Sequence, residues 1–419
     1  MLVRSALAAV FALVLLAAPP EARTRSLALS VRSAGEFEAA VSALRDSGGT
    51  IVLQPGGYGD LVIPPRSARP LRIVGGPGVW VQGVLFDHTQ HVSLGRLTIF
   101  PSHHDALVEV RTSAWIDLHE LVVTARGTPF SASVLLPDAR NVTVRRSTFT
   151  HCGDREIDFA NCVLLYRWSH RITVEDNWFH DCYGCDFLHG RFGSDLTIRH
   201  NRFERALPCG MGRYRCGHQD LVQLFLGRRL LVEDNRFGVY RNGASQLYLT
   251  NAIDHATIVN NVFVGTDPRV PGYHARVAVI VGSSRSRRLP HDVKIVNNTI
   301  LTGTRRRDGY EGSIRISSRY GGVPRRLRPL LANNVIGLLR DRWPVCDAVR
   351  ASVANVVLRG QACTSSDVVG PADTDDRGRP TRASALLIDQ ASRRWAPTRD
   401  ITGRRRGAAP DIGAYEFRG

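Results

Sequence analysis

Short runs of alternating apolar and polar residues recur along most of the chain, and each ends in a polar pair followed by one large apolar residue. Copies read Ile172-Thr-Val-Glu-Asp-Asn177-Trp-Phe179, Leu196-Thr-Ile-Arg-His-Asn201-Arg-Phe203 and Leu230-Leu-Val-Glu-Asp-Asn235-Arg-Phe237. Others run from Ala256 to Phe263, Val293 to Ile300 and Pro329 to Ile336, with degenerate copies at 92–99, 116–123 and 142–149. Alternation at period two makes each a short strand with one buried face. About a dozen residues upstream of each turn lies a second strand: Ala106–Val110, Ala132–Leu136, Cys162–Tyr166, Asp186–Gly190, Asp220–Leu224 and Ser245–Leu249. Val108, Val134, Leu164, Leu188, Val222 and Leu247 then form one inward column, and their neighbours face outward.

The asparagines at 177, 201, 235, 261, 298 and 334 lie about 24 to 37 residues apart, a step that fits one coil of a solenoid with surface insertions. The chain is therefore expected to be all-β, a right-handed parallel β-helix. The repeated Asn suits a left-handed bend between strands and a ladder of amides stacked about 4.8 Å apart. Glu36 to Leu44 has helical periodicity and would cover the open N-terminal end of the core. The helix, Gly49-Thr-Ile-Val-Leu53, Pro55-Gly-Gly-Tyr58 and the repeated Asn-x-Phe turns together resemble the pectate-lyase-like superfamily of secreted β-helix proteins. That resemblance spans roughly residues 30 to 340 and implies the fold, but not one reaction, since the superfamily holds lyases, hydrolases, epimerases and non-catalytic proteins. Residues 341–419 lose the repeat and read as an irregular C-terminal cap, ending in Pro410 to Phe417, which resembles the terminal strand of many bacterial β-helix proteins.

Composition adds a compartment and a charge. The apolar run Ala6–Ala18 is too short to span a bilayer; with Arg4 before it and Ala22 after it, residues 1–22 read as an export signal, leaving 23–340 for the β-helix. A secreted or periplasmic protein without an integral membrane segment is therefore expected. The net charge of +17 favours anionic partners, although Lys294 is the sole lysine and the arginines are spread along the chain. An exported monomer without a recognition motif is not expected to bind nucleic acid, despite basic stretches at 283–288 and 305–307.

All 8 cysteines lie after the signal, so disulfides are expected. Cys152 and Cys182 stack on neighbouring coils, Cys162 and Cys185 open adjacent strands nearly in register, Cys209 and Cys216 bracket a loop, and Cys346 and Cys363 remain for the cap. Zinc at Cys182-x-x-Cys185 is the less favoured alternative.

The outward rows carry the candidate chemistry. One reads Glu109, Leu135, Leu165, His189, Gln223, Tyr248; the next reads Arg111, Pro137, Arg167, Arg191, Phe225, Thr250. His189, Arg191 and Tyr248 have the parts for β-elimination on a uronate: an arginine to neutralise the carboxylate, and a neutral His or Tyr to take the C5 proton. Arg167, Gln223 and His218 would bind and orient substrate, with Arg213 and Arg215 on the Cys209–Cys216 loop as a basic wall. His218-Gln-Asp220-Leu-Val-Gln223 resembles the His-x-Asp-x-x-Gln segment of several bacterial β-helix proteins. Parity points Asp186 and Asp220 inward; if the strand start curls outward they would form a pair suited to glycoside hydrolysis or to calcium. The leading expectation is a polysaccharide lyase-like protein acting on an acidic glycan without an obligatory cofactor. Hydrolysis through Asp186 and Asp220, or non-catalytic glycan binding at the cell envelope, are its rivals.

Overall fold

In the computed structural model the described residues are 27–66, 69–100, 106–124, 132–152, 161–207, 220–239, 245–265, 277–282, 288–301, 305–306, 309–310, 313–339 and 345–419. The signal segment and the loop carrying Cys209, Arg213, Arg215, Cys216 and His218 lie outside them. Helix Ala34–Ala43 is capped by Ser33, whose Oγ accepts from the Glu36 amide at 3.2 Å, and buries Phe37, Ala40 and Val41 against the first coil.

Each coil then contributes a strand to three faces, as in Asn161–Tyr166, His170–Glu175 and Trp178–Tyr183, stacked in parallel on Asp186–Gly190, Ser194–Arg199 and Arg202–Leu207. The first two faces merge where strands 220–233 and 245–259 run round the corner unbroken. Inward positions carry Val, Ile and Leu, while the third face adds a stack of Phe149, Phe179, Phe203, Phe237 and Phe263 with centroids 4.6 to 5.0 Å apart. Those rings lie inside the coils with no exposure at all.

The asparagine ladder is present and continues further than the repeat suggests. The Oδ1 of each member accepts from the backbone N–H and the Nδ2 of the member one coil earlier, as Asn201 does from Asn177 at 3.0 and 3.1 Å; the run passes through Asn355 to Asp367. The left-handed bend falls one residue earlier than expected, on Asp176, His200, Asp234, Asn260, Asn297 and Asn333, with φ of 50 to 56°. Hydrogen bonding, not backbone tolerance, is therefore what the ladder asparagines supply.

Three further expectations are corrected. On the first face the column runs Val108, Val134, Val163, Leu188, Val222, Leu247, with Val163 in place of Leu164. The cause is one extra residue at the corner: Arg167, Trp168 and Ser169 join Tyr166 to His170, where Phe192 and Gly193 suffice between Arg191 and Ser194. Leu164 and Tyr166 thus hold the outward positions given to Leu165 and Arg167. The disulfides are Cys152–Cys162 and Cys182–Cys185, each joining the end of one coil to the start of the next, and Cys346–Cys363 as expected. Pairing of Asn161 with Asp186 sets Cys162 two positions along from Cys185, while Cys152 and Cys162 meet at the two ends of one loop. The sulfurs of Cys152, Cys162 and Cys182 nonetheless lie within 4.8 Å of one another.

Parallel pairing also runs past residue 340, through Ala351–Val353, Val356–Val357 and Val368–Val369. The remaining C-terminal residues form a strap laid along the coils, and Pro410–Phe417 is irregular, not a strand. The strap fastens to the residues at the left-handed bends: Asn260 donates to the Arg399 carbonyl, Asn297 to those of Asp411 and Gly413, and Asn333 to that of Ser392. Gly413 has φ of 96°, and a Cβ there would meet Thr299 Oγ1 at 2.7 Å. Among the described residues no helix is long and apolar enough to cross a membrane.

Candidate functional site

A polar column opens the strands of the first face: Asn161, Asp186, Asp220 and Ser245, each two residues before the inward apolar position. Asp186 Oδ1 accepts from the Asp220 amide at 2.8 Å, and the Ser245 hydroxyl donates to Asp220 Oδ1 at 2.5 Å. Asp220 has no exposure, and desolvation, reinforced by the charge of Asp186, pushes its pKa well above the ordinary 3.8. Enclosure in the coil therefore favours its neutral form.

Asp186 turns its second oxygen outward. Oδ2 is 2.7 Å from His189 Nδ1, three residues along the same strand. A carboxylate on Nδ1 fixes that nitrogen as the protonated one and leaves Nε2 as an acceptor. His189 is 25% exposed, so an oriented imidazole meets solvent on a rigid sheet. Phe225 packs edge-on against it at 5.3 Å between centroids.

The outward row through His189 reads Leu135, Leu164, His189, Gln223, Tyr248, Ile280, Arg315. His189, Gln223 and Tyr248 are therefore consecutive on one face, as expected. The neighbouring row holds Pro137, Tyr166, Arg191 and Phe225. Arg191 lies 5.8 Å from the Tyr166 ring centroid, and Arg167, although off the row, approaches the same ring to 5.6 Å while pairing with Asp138 at 3.2 Å. Two guanidinium groups thus flank the Tyr166 ring on the row beside that of His189.

The carboxylate pair does not reach solvent. Asp220 is wholly buried and both oxygens of Asp186 are engaged, so the pair offers neither the exposed acid of a glycosidase nor free oxygens for calcium. Asp186 is a positioning residue for His189. Tyr166 was hidden by the one-residue slip at the corner; the polar column, with Asn161 aligned on Asp186, is the signal that sets the register.

The family model described as right handed beta helix region matches residues 82–300. No curated protein matches the sequence. Among solved structures, the pectate lyase Pel9A aligns over 94% of this chain and 97% of its own, with 14% identity and a TM-score of 0.51. The R241A mutant of the PL6 family alginate lyase AlyGC aligns over 88% of this chain and 59% of its own, with 12% identity and a TM-score of 0.49. PfbA, a surface adhesin of Streptococcus pneumoniae, aligns over 63% and 79%, with 12% identity and a TM-score of 0.45. Likeness at such identities establishes fold alone.

Proposed function

For a chain that belongs to the right-handed β-helix family, we propose an exported enzyme that cleaves a uronate-containing polysaccharide by β-elimination, with His189 as the base. The observation that carries this reading is the His189–Asp186 pair: a partly exposed imidazole on an outward row whose Nδ1 is tied to a carboxylate, which leaves Nε2 for a substrate proton. The apolar leader, the disulfides and the excess of basic residues support export and an anionic substrate.

The chemistry is set by the row. Arg191 pairs with the uronate carboxylate and spreads the charge that develops as C5 loses its proton to Nε2. The C5–H electron pair becomes the C4–C5 double bond, the C4–O4 bond breaks, and water gives a proton to the departing oxygen. Tyr248 stands two coils on, about 10 Å along the axis, where it would bind a neighbouring sugar residue, with Gln223 between it and His189 to hold a sugar hydroxyl. Arg167 and Tyr166 border the carboxylate side. Hydrolysis through Asp186 and Asp220 has no exposed acid to use.

The test is incubation of the mature protein with polygalacturonate, alginate, glucuronan and glycosaminoglycans, with and without calcium. Ultraviolet absorbance of the conjugated product should grow with at least one of them. His189→Ala should lower kcat by about 10²–10⁴-fold. Asp186→Asn should lower kcat with little change in KM, since Asp186 acts only through the imidazole. Reducing ends released without the absorbance would overturn the lyase reading in favour of hydrolysis. Binding without turnover across the panel would overturn it in favour of a glycan-binding protein.

A further inference from the structure

A cleft of about 320 Å³ lies on the second face, in the N-terminal coils, away from His189. Its volume is in the range of small-ligand sites. Trp115 forms one wall, 50% exposed, with the His91 ring stacked on it at 4.7 Å and 8°. Both residues occupy the left-handed position at the corner between the first and second faces, with φ of 55°. In later coils that position holds Asn141, Arg171, Asp195, Arg229, His255 and Asp292, all hydrophilic. Trp115 is the large apolar side chain there, in a conformation bulky residues rarely adopt and with half its surface in water.

Two coils before Trp115 the cleft is cationic. Arg72 is exposed and, among the described residues, has no ion pair or hydrogen bond. Ser93 and Asp117 continue the row from Arg72 and line the same cleft. Arg145 holds Asp117 at 2.7 and 2.6 Å, which neutralises the carboxylate while leaving it able to accept from hydroxyl groups. Aromatic plane, hydroxyl acceptors and an unpaired guanidinium in sequence match the C–H face, hydroxyls and carboxylate of an acidic sugar.

We propose that this cleft is a second, non-catalytic binding site for one uronate residue of an acidic polysaccharide. Three coils, about 14 Å along the axis, separate Trp115 from His189. Trp168, 63% exposed at the same corner, lies between them, so a polymer held at Trp115 has an aromatic step toward the first face. The site does not depend on His189 being catalytic.

The experiment measures binding with His189→Ala protein, so that turnover plays no part, against polygalacturonate and its fully methyl-esterified form. In that background Trp115→Ala should weaken polygalacturonate binding about tenfold, and Trp115→Phe should retain most of it. Arg72→Ala should weaken binding to the acid and leave binding to the ester unchanged. Melting temperatures should not move, because both side chains are exposed. The proposal is overturned if Trp115→Ala and Arg72→Ala bind polygalacturonate like their parent, if Arg72→Ala loses the ester equally, or if the parent binds neither polymer.

Discussion

Two aspartates on successive coils, Asp186 and Asp220, start from the same chemistry and end in different states. Asp186 has both oxygens engaged, one by a backbone amide and the other by His189. Asp220 sits one coil on, wholly enclosed, and is driven to the neutral form by desolvation and by Asp186. Its folded-state pKa is raised while the unfolded chain titrates near 3.8, so the folded state binds more protons above that value. The stability Asp220 contributes is therefore complete below pH 3.8 and is lost as pH rises toward the folded pKa. Asp220→Asn, which removes this titration and can still accept from Ser245, should gain stability relative to the native protein at pH 8 compared with pH 4. Melting curves of both proteins across that range check it; an unchanged difference would mean that Asp220 is ionised in the fold.

At the scale of elements, the ladder joins what each coil cannot hold alone. Asn235 Oδ1 accepts from the Asn201 amide and side chain, and its Nδ2 donates to Ile198, Glu233 and Asn261, all within 3.1 Å. Alanine there would strand several buried donors and acceptors. Asn235→Ala should cost about 2–4 kcal/mol by denaturant unfolding, whereas Thr197→Ala on the outward row of the second face should cost under about 0.5. The strands themselves were legible because period-two alternation survives without any knowledge of neighbours. Their register was less so: one extra corner residue at Arg167–Ser169 moves every side chain of strand 161–166 to the other face. That is why Tyr166 was missed and Arg167 was given its place.

For the whole molecule, the C-terminal strap binds coils that are far away in sequence. Arg406, with its side chain 2% exposed, donates to Asn260 Oδ1, to Glu416 and to the carbonyls of Asp411, Gly413 and Ala414. Trp395 covers Val259, Val296, Leu330 and Ala332 on the second face. Burial lowers the pKa of Arg406, yet Glu416, Asp400 and Asp411 favour its charge. Arg406→Ala leaves those acceptors and Glu416 without their cation and should cost about 3–5 kcal/mol. Limited proteolysis should then release a fragment from the C-terminus before the coils are cut; simultaneous loss of both would show that strap and coils unfold as one unit.

Alternation, the asparagine repeat and the phenylalanines after it determined the all-β coil on their own, because period and side-chain type are local properties of a strand and its turn. They also placed His189, Gln223 and Tyr248 on one wall, since those three strands share the same spacing to the next turn or show the extra residue openly. Which aspartate is enclosed, which sulfurs meet, where the tail lies and that Trp115 and Arg72 line one cleft were decided only by tertiary structure. Each depends on the distance between residues many positions apart, and a single residue inserted at a corner changes those distances without altering any local pattern.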